Sequence, residues 1–309
     1  MSTSNISATP GRPAYPRVVS VVNLKGGVGK TTLCVNLAYG LAYFKNKRVL
    51  LVDLDPQANA TQYLISQYTY QKLYLADPPT KFTVVEVYDE FNQSNRVNSA
   101  PPKDPQRYIQ RIYKGDPGYL DLVASKLELS LLAFEGGQVH KNNQVRWLIE
   151  SVAKQYDIVL IDCPPTVSRM LMGGFDASEY VLVPMKPEFL STIGLPLLHR
   201  IITKTYSEDI GKRAKWMNPD LSVIGIIYTM FNSQLVMTKE SLAEIQREAT
   251  RLNYPIFNAY MSNSTKFAWS SKRTLPIFRT EPSSQYALEM EQIVTEFLAR
   301  LPQAPGGAL

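Results

Sequence analysis

From Arg17 onward, short β-branched apolar runs alternate with longer stretches whose apolar residues recur at helical spacing. "RVVSVVN" (17–23) predicts a buried strand and "TTLCVNLAYGLAYF" (31–44) a helix. "RVLLVDLD" (48–55), "YDIVLIDCPP" (156–165), "YVLVPMKP" (180–187) and "SVIGIIYTMF" (222–231) predict four more buried strands. Continuous apolar strands separated by helices are the pattern of an α/β fold, a mostly parallel twisted sheet with helices on both faces. In such sheets ligands bind at the carboxyl ends of the strands, and the polar motifs of this chain fall there.

The alternation lapses between Gln67 and Gly118, a stretch rich in Tyr, Pro, Asn and Gln. Within it "FTVVEVYDEF" (82–91) predicts a short helix and "NSAPPKDPQ" (98–106) an exposed loop. Residues 92–118 therefore stand as an insert in a single domain running from 17 to 301, with a disordered tail over 1–16 and a flexible one over 302–309. "SSQYALEMEQIVTEFLARL" (283–301) predicts an amphipathic helix with Tyr286, Met290, Ile293, Phe297 and Leu301 near one face. Its flanks carry Glu289, Glu291 and Glu296, which favours packing on the domain over lying on a membrane.

Composition narrows the classes. With 45% hydrophobic and 19% charged residues over 309 positions, the chain is that of an ordinary soluble globular protein. No apolar run approaches the ~20 residues needed to span a bilayer, and the N-terminus lacks the apolar centre of a secretory signal. Cys34 and Cys163 lie inside apolar segments, as expected of buried thiols in a cytoplasmic protein. With His140 and His199 they form no metal-ligand spacing. The net charge is +6, and from His199 to Arg279 twelve Lys/Arg face six Asp/Glu, a surplus of the same size. A polyanionic partner fits this distribution; scattered lysines on solvated helix faces account for it equally.

The chemistry concentrates in "NLKGGVGKTTL" (23–33). The general phosphate-loop pattern G-x-x-x-x-G-K-[ST] has Leu24 in place of its first glycine, and otherwise holds. Gly26, Gly27, Val28 and Gly29 let backbone amides turn inward on an anion. Lys30 suits the β- and γ-phosphates, the Thr31 hydroxyl suits Mg²⁺, and Thr32 continues into the helix. Placement between a buried strand and a helix N-terminus adds the helix dipole. Lys25 is unexplained by this pattern. At the next strand end, "DLDPQANAT" offers Asp53 and Asp55, two apart and hence on one face of a strand. Asp53 can hold the loop or a metal-water shell, and Asp55 can orient a water for attack on a γ-phosphate. Asp55–Pro56 equally suits the start of a turn. Asp162, after four apolar residues, suits outer-shell Mg²⁺ coordination.

"KGGVGKTT", "VLLVDLDPQANAT" and "YDIVLIDCPP" together resemble the ParA/Soj group of partition ATPases, within the deviant Walker-A class of P-loop NTPases that includes MinD. The likeness runs from about Val18 to Phe231, and "LDLVASKLELSLLAFE" and "VLVPMKPEFLSTIGL" also look like family segments. The resemblance implies ATP and Mg²⁺ as cofactors and an ATP-bound homodimer. In that dimer Lys25 would reach across the interface to the partner's phosphates, making the loop a dimerisation device. It implies roles for Asp55 on the attacking water, Thr31 on Mg²⁺ and Asp162 on the Mg²⁺ water shell. Met230 and Pro187–Glu188 lie in strand-end loops suited to base contact.

The resemblance further implies sequence-independent DNA binding in the ATP state and a ParB-like or cargo-adaptor partner that stimulates hydrolysis. Plasmid or chromosome segregation, with a nucleoid-associated cytoplasmic location, follows. The same cycle could instead position a protein cargo such as a carboxysome or chemoreceptor cluster. A MinD-like membrane regulator is disfavoured by the acidic last helix, and an iron-sulfur reductase by the positions of the two cysteines. Candidate DNA contacts are Arg213, Lys215, Lys266, Lys272, Arg273 and Arg279. The family's usual arginine-bearing segment is replaced here by "YMSNSTKFAWSSKRTLPIF" (260–278). The stretch before Arg17 is short for a helix-turn-helix domain, so operator binding is not expected.

Overall fold

The computed structural model describes residues 15–93, 104–134, 143–188, 191–204, 221–232 and 236–302. Among these, seven strands form one sheet: β1 (Arg17–Val21), β2 (Arg48–Asp53), β3 (Ile109–Lys114), β4 (Tyr119–Val123), β5 (Ile158–Asp162), β6 (Tyr180–Met185) and β7 (Ser222–Tyr228). Their order is β3-β4-β2-β5-β1-β6-β7, all pairs parallel except β3–β4. The helices are α1 (Lys30–Phe44), α2 (Asn59–Leu64), α3 (Gln67–Tyr74), α4 (Val84–Gln93), α5 (Leu129–Phe134), α6 (Gln144–Val152), α7 (Arg169–Ala177), α8 (Gly194–Lys204), α9 (Val236–Leu252), α10 (Thr265–Lys272), α11 (Ile277–Thr280) and α12 (Gln285–Arg300).

The strand side chains alternate between two cores. Val18 and Val22 belong to the layer covered by α4, α6, α7, α8 and α9, whereas Val19 and Val21 face the layer of α1, α2, α11 and α12. α1 is apolar nearly all round because it lies between the sheet and α12. A Cβ on Gly40 would stand 2.5 Å from a Val294 methyl, so glycine sets the distance between α1 and α12. Met290, Ile293 and Phe297 of α12 are fully buried there, each burial favouring the fold by about 1.5–3 kcal/mol. Tyr286 is only partly buried and Leu301 closes the face.

Two strands went unread in the sequence. β4 carries an acid, Asp121, in its middle, and that breaks the apolar run. The side chain is nonetheless buried, held by Arg111 of β3 and by the Tyr156 hydroxyl, which donates over 2.8 Å. β3 is an edge strand whose outer positions are polar, so "IQRIYK" shows no continuous hydrophobic signal. The second half of the expected insert is therefore sheet, an antiparallel edge on β4. Most of the proposed loop at 98–106, and nearly all of both tails, lie outside the described residues.

Candidate functional site

The loop Asn23–Gly29 leaves the central strand β1 and opens α1. Asn23 anchors its start: the Asn23 amide donates to Pro184 O (2.8 Å), and Lys25 N donates to Asn23 Oδ1 (2.9 Å). Thr229 anchors its end, its hydroxyl donating to Val28 O at 2.6 Å. Gly29 caps α1 at φ 79°, and a Cβ there would sit 3.1 Å from the Met261 methyl. Any side chain would thus be strained and crowded at once. No side chain caps α1, so its first-turn amides remain available to an anion.

Lys30, the first residue of α1, is buried, and its Nζ donates to Lys25 O at 3.1 Å. Burial lowers its pKa, while Asp162 and then Asp55 act in the opposite sense. Parallel register places Asp53 beside Asp162 on neighbouring strands. The Thr31 hydroxyl donates to Asp162 Oδ2 at 2.7 Å, while Asp162 Oδ1 is buried without a hydrogen-bond partner. Burial first, then the negative charge of Asp53, pushes the Asp162 carboxyl well above its usual range.

Asp53 does not reach the phosphate loop. Its Oδ2 accepts from Thr61 N and the Thr61 hydroxyl, both at 2.8 Å, and its Oδ1 from Asp55 N at 3.2 Å. Burial pushes its pKa up to about 7. β2 ends at Asp53, so Asp55 is not a strand position two residues along the same face. It sits in a turn, its Oδ1 accepting from Gln57 N at 2.9 Å and its carbonyl from Ala58 N. The turn and the cleft coincide, because Asp55, Gln57 and Asn59 line the same opening as Gly26–Thr32. Ser125 closes the arrangement, its hydroxyl donating to Asp55 O and its amide to Thr61 Oγ1, each at 2.9 Å.

That cleft, of about 580 Å³, is also lined by Met230, whose methyl lies 4.0 Å from a Cβ built on Gly29, and by Ser264, Phe267, Ala268 and Ser271 at and along α10. Met230 itself holds a left-handed backbone, φ 51°. Pro187 is buried and does not line the cleft. Its neighbour Glu188, expected near the base, instead takes Lys25: Nζ lies 2.6 Å from Glu188 Oε1, with Lys186 Nζ 2.5 Å from Oε2. The two ammonium groups, Lys186 foremost, hold the Glu188 carboxyl below its usual range.

Of the expected DNA contacts, Arg213 and Lys215 lie outside the described residues. Lys266 is paired with Glu281 at 2.8 Å, and Arg279 is exposed beside Tyr39. Lys272 and Arg273 are exposed at the end of α10. Asn23, Thr61, Ser125 and Thr229 carry no spacing signal, because each acts through hydrogen bonds to groups that only the fold brings near. The polar Asn23 and Thr229, directly after buried strands, were the available clue.

A glycine loop opening a helix from the central strand of a parallel sheet, a buried lysine at its end and acids on the adjacent strand tips define a P-loop NTPase. Residues 16–218 match the family described as "AAA domain". The chromosome partitioning protein ParA of Myxococcus xanthus is 30% identical over 74% of this chain and 70% of its own length. The chromosome-partitioning ATPase Soj of Treponema pallidum is 28% identical over 90% and 96%. Among solved structures, cobyrinic acid a,c-diamide synthase from Mycobacterium smegmatis with bound ATP analogue and magnesium superposes with TM-score 0.66. It covers 95% of this chain and all of the other at 22% identity, a likeness of fold. The chain belongs to the ParA/Soj family of partition ATPases, in the MinD/ParA class of P-loop proteins. Among the described residues no helix is long and apolar enough to cross a membrane.

Proposed function

We propose that this chain binds and hydrolyses ATP, dimerises over the nucleotide, binds DNA in that state and is released when a ParB-like partner speeds hydrolysis. The observation that carries the reading is the division of labour between two lysines of one loop. Lys30 is buried and lines the cleft, whereas Lys25, outside the lining but next to Gly26 at its edge, is 39% exposed and held by an acid of its own chain. A buried cation at the helix start serves the nucleotide of its own subunit. A rim cation serves a second subunit closing over the cleft, exchanging Glu188 for phosphate oxygens. Two ATP molecules bring several negative charges into that interface, and their burial requires cations from both sides.

The donor set fits Mg²⁺. Asp162 Oδ1 is a buried oxygen without a partner, and Thr31 Oγ1 lies on Asp162 Oδ2. Both are hard oxygen donors, and among the described residues no group of three or more His, Cys, Asp or Glu could hold a metal alone. That matches an ion that arrives with phosphate and water ligands. When bound it would neutralise developing phosphate charge. Asp55 would orient the attacking water, its backbone fixed by Ser125, Ala58 and Asp53 and its Oδ1 by Gln57 N. Lys30 would stabilise the transferred phosphoryl group. Plasmid or chromosome segregation, with a nucleoid location, is the role this cycle supports, in keeping with the names of the relatives.

The test is turnover by Asp55→Ala. The variant is expected to bind ATP and form the dimer while hydrolysis falls roughly 100-fold, in line with loss of a positioned water. Hydrolysis at the wild-type rate would remove Asp55 from this role.

A further inference from the structure

The turn that carries Asp55 is not held by its own sequence alone. Ala58, which ends it, has φ 53°, a left-handed backbone that a residue carrying a Cβ adopts only at a cost. Further bonds reach the turn from outside. Asp55 N donates to Asp53 Oδ1 at 3.2 Å, and Asp55 O accepts from the Ser125 hydroxyl at 2.9 Å. With Gln57 N on Asp55 Oδ1, the remaining carboxylate oxygen, Oδ2, has no hydrogen bond among the described residues.

Two hydroxyls tie that turn to the end of a different strand. Thr61 stands in the first turn of α2, where a backbone N–H has no partner within the helix. Its N–H and its hydroxyl both donate to Asp53 Oδ2 at 2.8 Å. With that proton spent on Asp53, Thr61 Oγ1 accepts, and Ser125 N donates to it at 2.9 Å. A carbonyl only accepts, so the Ser125 hydroxyl must donate to Asp55 O. The direction of each bond is thereby fixed. Ser125, two residues beyond β4, is itself held: its carbonyl accepts from the Tyr70 hydroxyl at 3.2 Å, and the next residue, Lys126, pairs with Glu86 of α4. Asp53, Thr61 and Ser125 are each fully buried, so water offers no substitute for a lost bond.

We infer that Ser125 and Thr61 are positioning residues for ATP hydrolysis: with Asp53 they set where the Asp55 carboxylate stands, although neither lines the nucleotide cleft. The inference rests on the role proposed above for Asp55. It also gives the buried Asp53 a task, since its carboxylate is the anchor on which the turn and the start of α2 are both fixed. A shift of about 1 Å in a positioned group can cost roughly 100-fold in rate, so bonds that touch no substrate still govern turnover.

The experiment measures kcat and KM for ATP hydrolysis by the full chain, with calorimetric affinity for a non-hydrolysable ATP analogue. It compares wild type, Ser125→Ala, Thr61→Val and Thr61→Ser, and adds Ser125→Ala and Thr61→Val to Asp55→Ala. Ser125→Ala leaves Asp55 O its bond from Ala58 N at 2.8 Å, so the fold should survive. Its kcat should fall roughly tenfold, the scale of one lost hydrogen bond. Thr61→Val loses its hydroxyl bonds to both Asp53 and Ser125 and should lower kcat by roughly 10- to 100-fold. Thr61→Ser, which keeps the hydroxyl, should restore most of that rate. Analogue affinity should stay within about twofold throughout, because only the step after binding is touched. In Asp55→Ala the same changes should lower residual turnover no further, since residues that act as one unit are not additive. Equal proportional losses with and without Asp55, or a rise in KM with kcat unchanged, would overturn the inference in favour of a general structural role. Wild-type kcat in Ser125→Ala and Thr61→Val, with Asp55→Ala still slow, would overturn it while the role of Asp55 stands. If Asp55→Ala itself turns over at the wild-type rate, the role of Asp55 falls and the inference with it.

Discussion

The floor and the rim of the nucleotide cleft use the same residue types to opposite ends. On the floor, Lys30, Asp53 and Asp162 are buried and Thr31 is tied to Asp162, so each charge is felt at low dielectric. On the rim, Lys25, Lys186 and Glu188 are each about one-third exposed and share one three-membered ion pair. A buried charge left without its partner costs several kcal/mol, whereas an exposed pair is worth about 0–1 kcal/mol. Depth therefore separates the tasks. The floor can hold a nucleotide and is expensive to disturb, while the rim can exchange one partner for another at little cost.

The largest effects should come from the two loop lysines, and they should differ in kind. Lys30→Ala removes a charge-assisted contact from the floor, and nucleotide affinity measured by calorimetry should fall roughly 100-fold. Lys25→Gln should leave nucleotide affinity of the monomer within about fivefold, the scale of an exposed pair, while dimer formation fails. If both variants lost nucleotide affinity alike, floor and rim would not be functionally distinct.

A smaller effect is expected of Glu188→Gln. Releasing Lys25 from its resting partner should tighten the ATP dimer by up to about fivefold, because an exposed pair is worth no more than about 1 kcal/mol. A looser dimer in that variant would make Glu188 part of the closed interface rather than a holder of Lys25.

The smallest effect separates the regions by pH. On the floor, burial pushes Asp53 up to about 7, while on the rim Glu188 is held below its usual range. An acid whose folded pKa exceeds its unfolded value binds more protons when folded, so its contribution to stability is lost as pH rises through the folded pKa. The nucleotide-free chain should melt about 2–4 °C higher at pH 6 than at pH 8 by calorimetry. Asp176, buried on α7 and pushed up to about 6, acts in the same direction. Glu188 remains ionised across this window, so the rim pair should be unaltered. A melting temperature that is flat or lower at pH 6 would show that the floor acids are ionised before nucleotide binds.

The floor was more legible in the sequence than the rim. Gly27, Gly29, Lys30 and Thr31 declare themselves by spacing, because a phosphate cradle needs positive φ and a helix start in fixed order. Asp162 followed from its apolar strand. Asp53 was legible as a strand-end acid that could hold the loop or a metal-water shell, but its bonds to Thr61, eight residues on, follow only from the folded chain. The rim pair between Lys25 and Glu188 joins residues from separate strand-end loops, and no local pattern encodes it. The same limit hid β4, since a buried Asp121 reads as solvated until Arg111 and Tyr156 are seen around it.

The central claim is that Lys25 acts on a second subunit. Sedimentation equilibrium of wild type and Lys25→Gln, each saturated with ATP under conditions that prevent turnover, tests it most directly. Wild type should sediment as a dimer and Lys25→Gln as a nucleotide-loaded monomer. A Lys25→Gln dimer as tight as that of wild type would contradict the account.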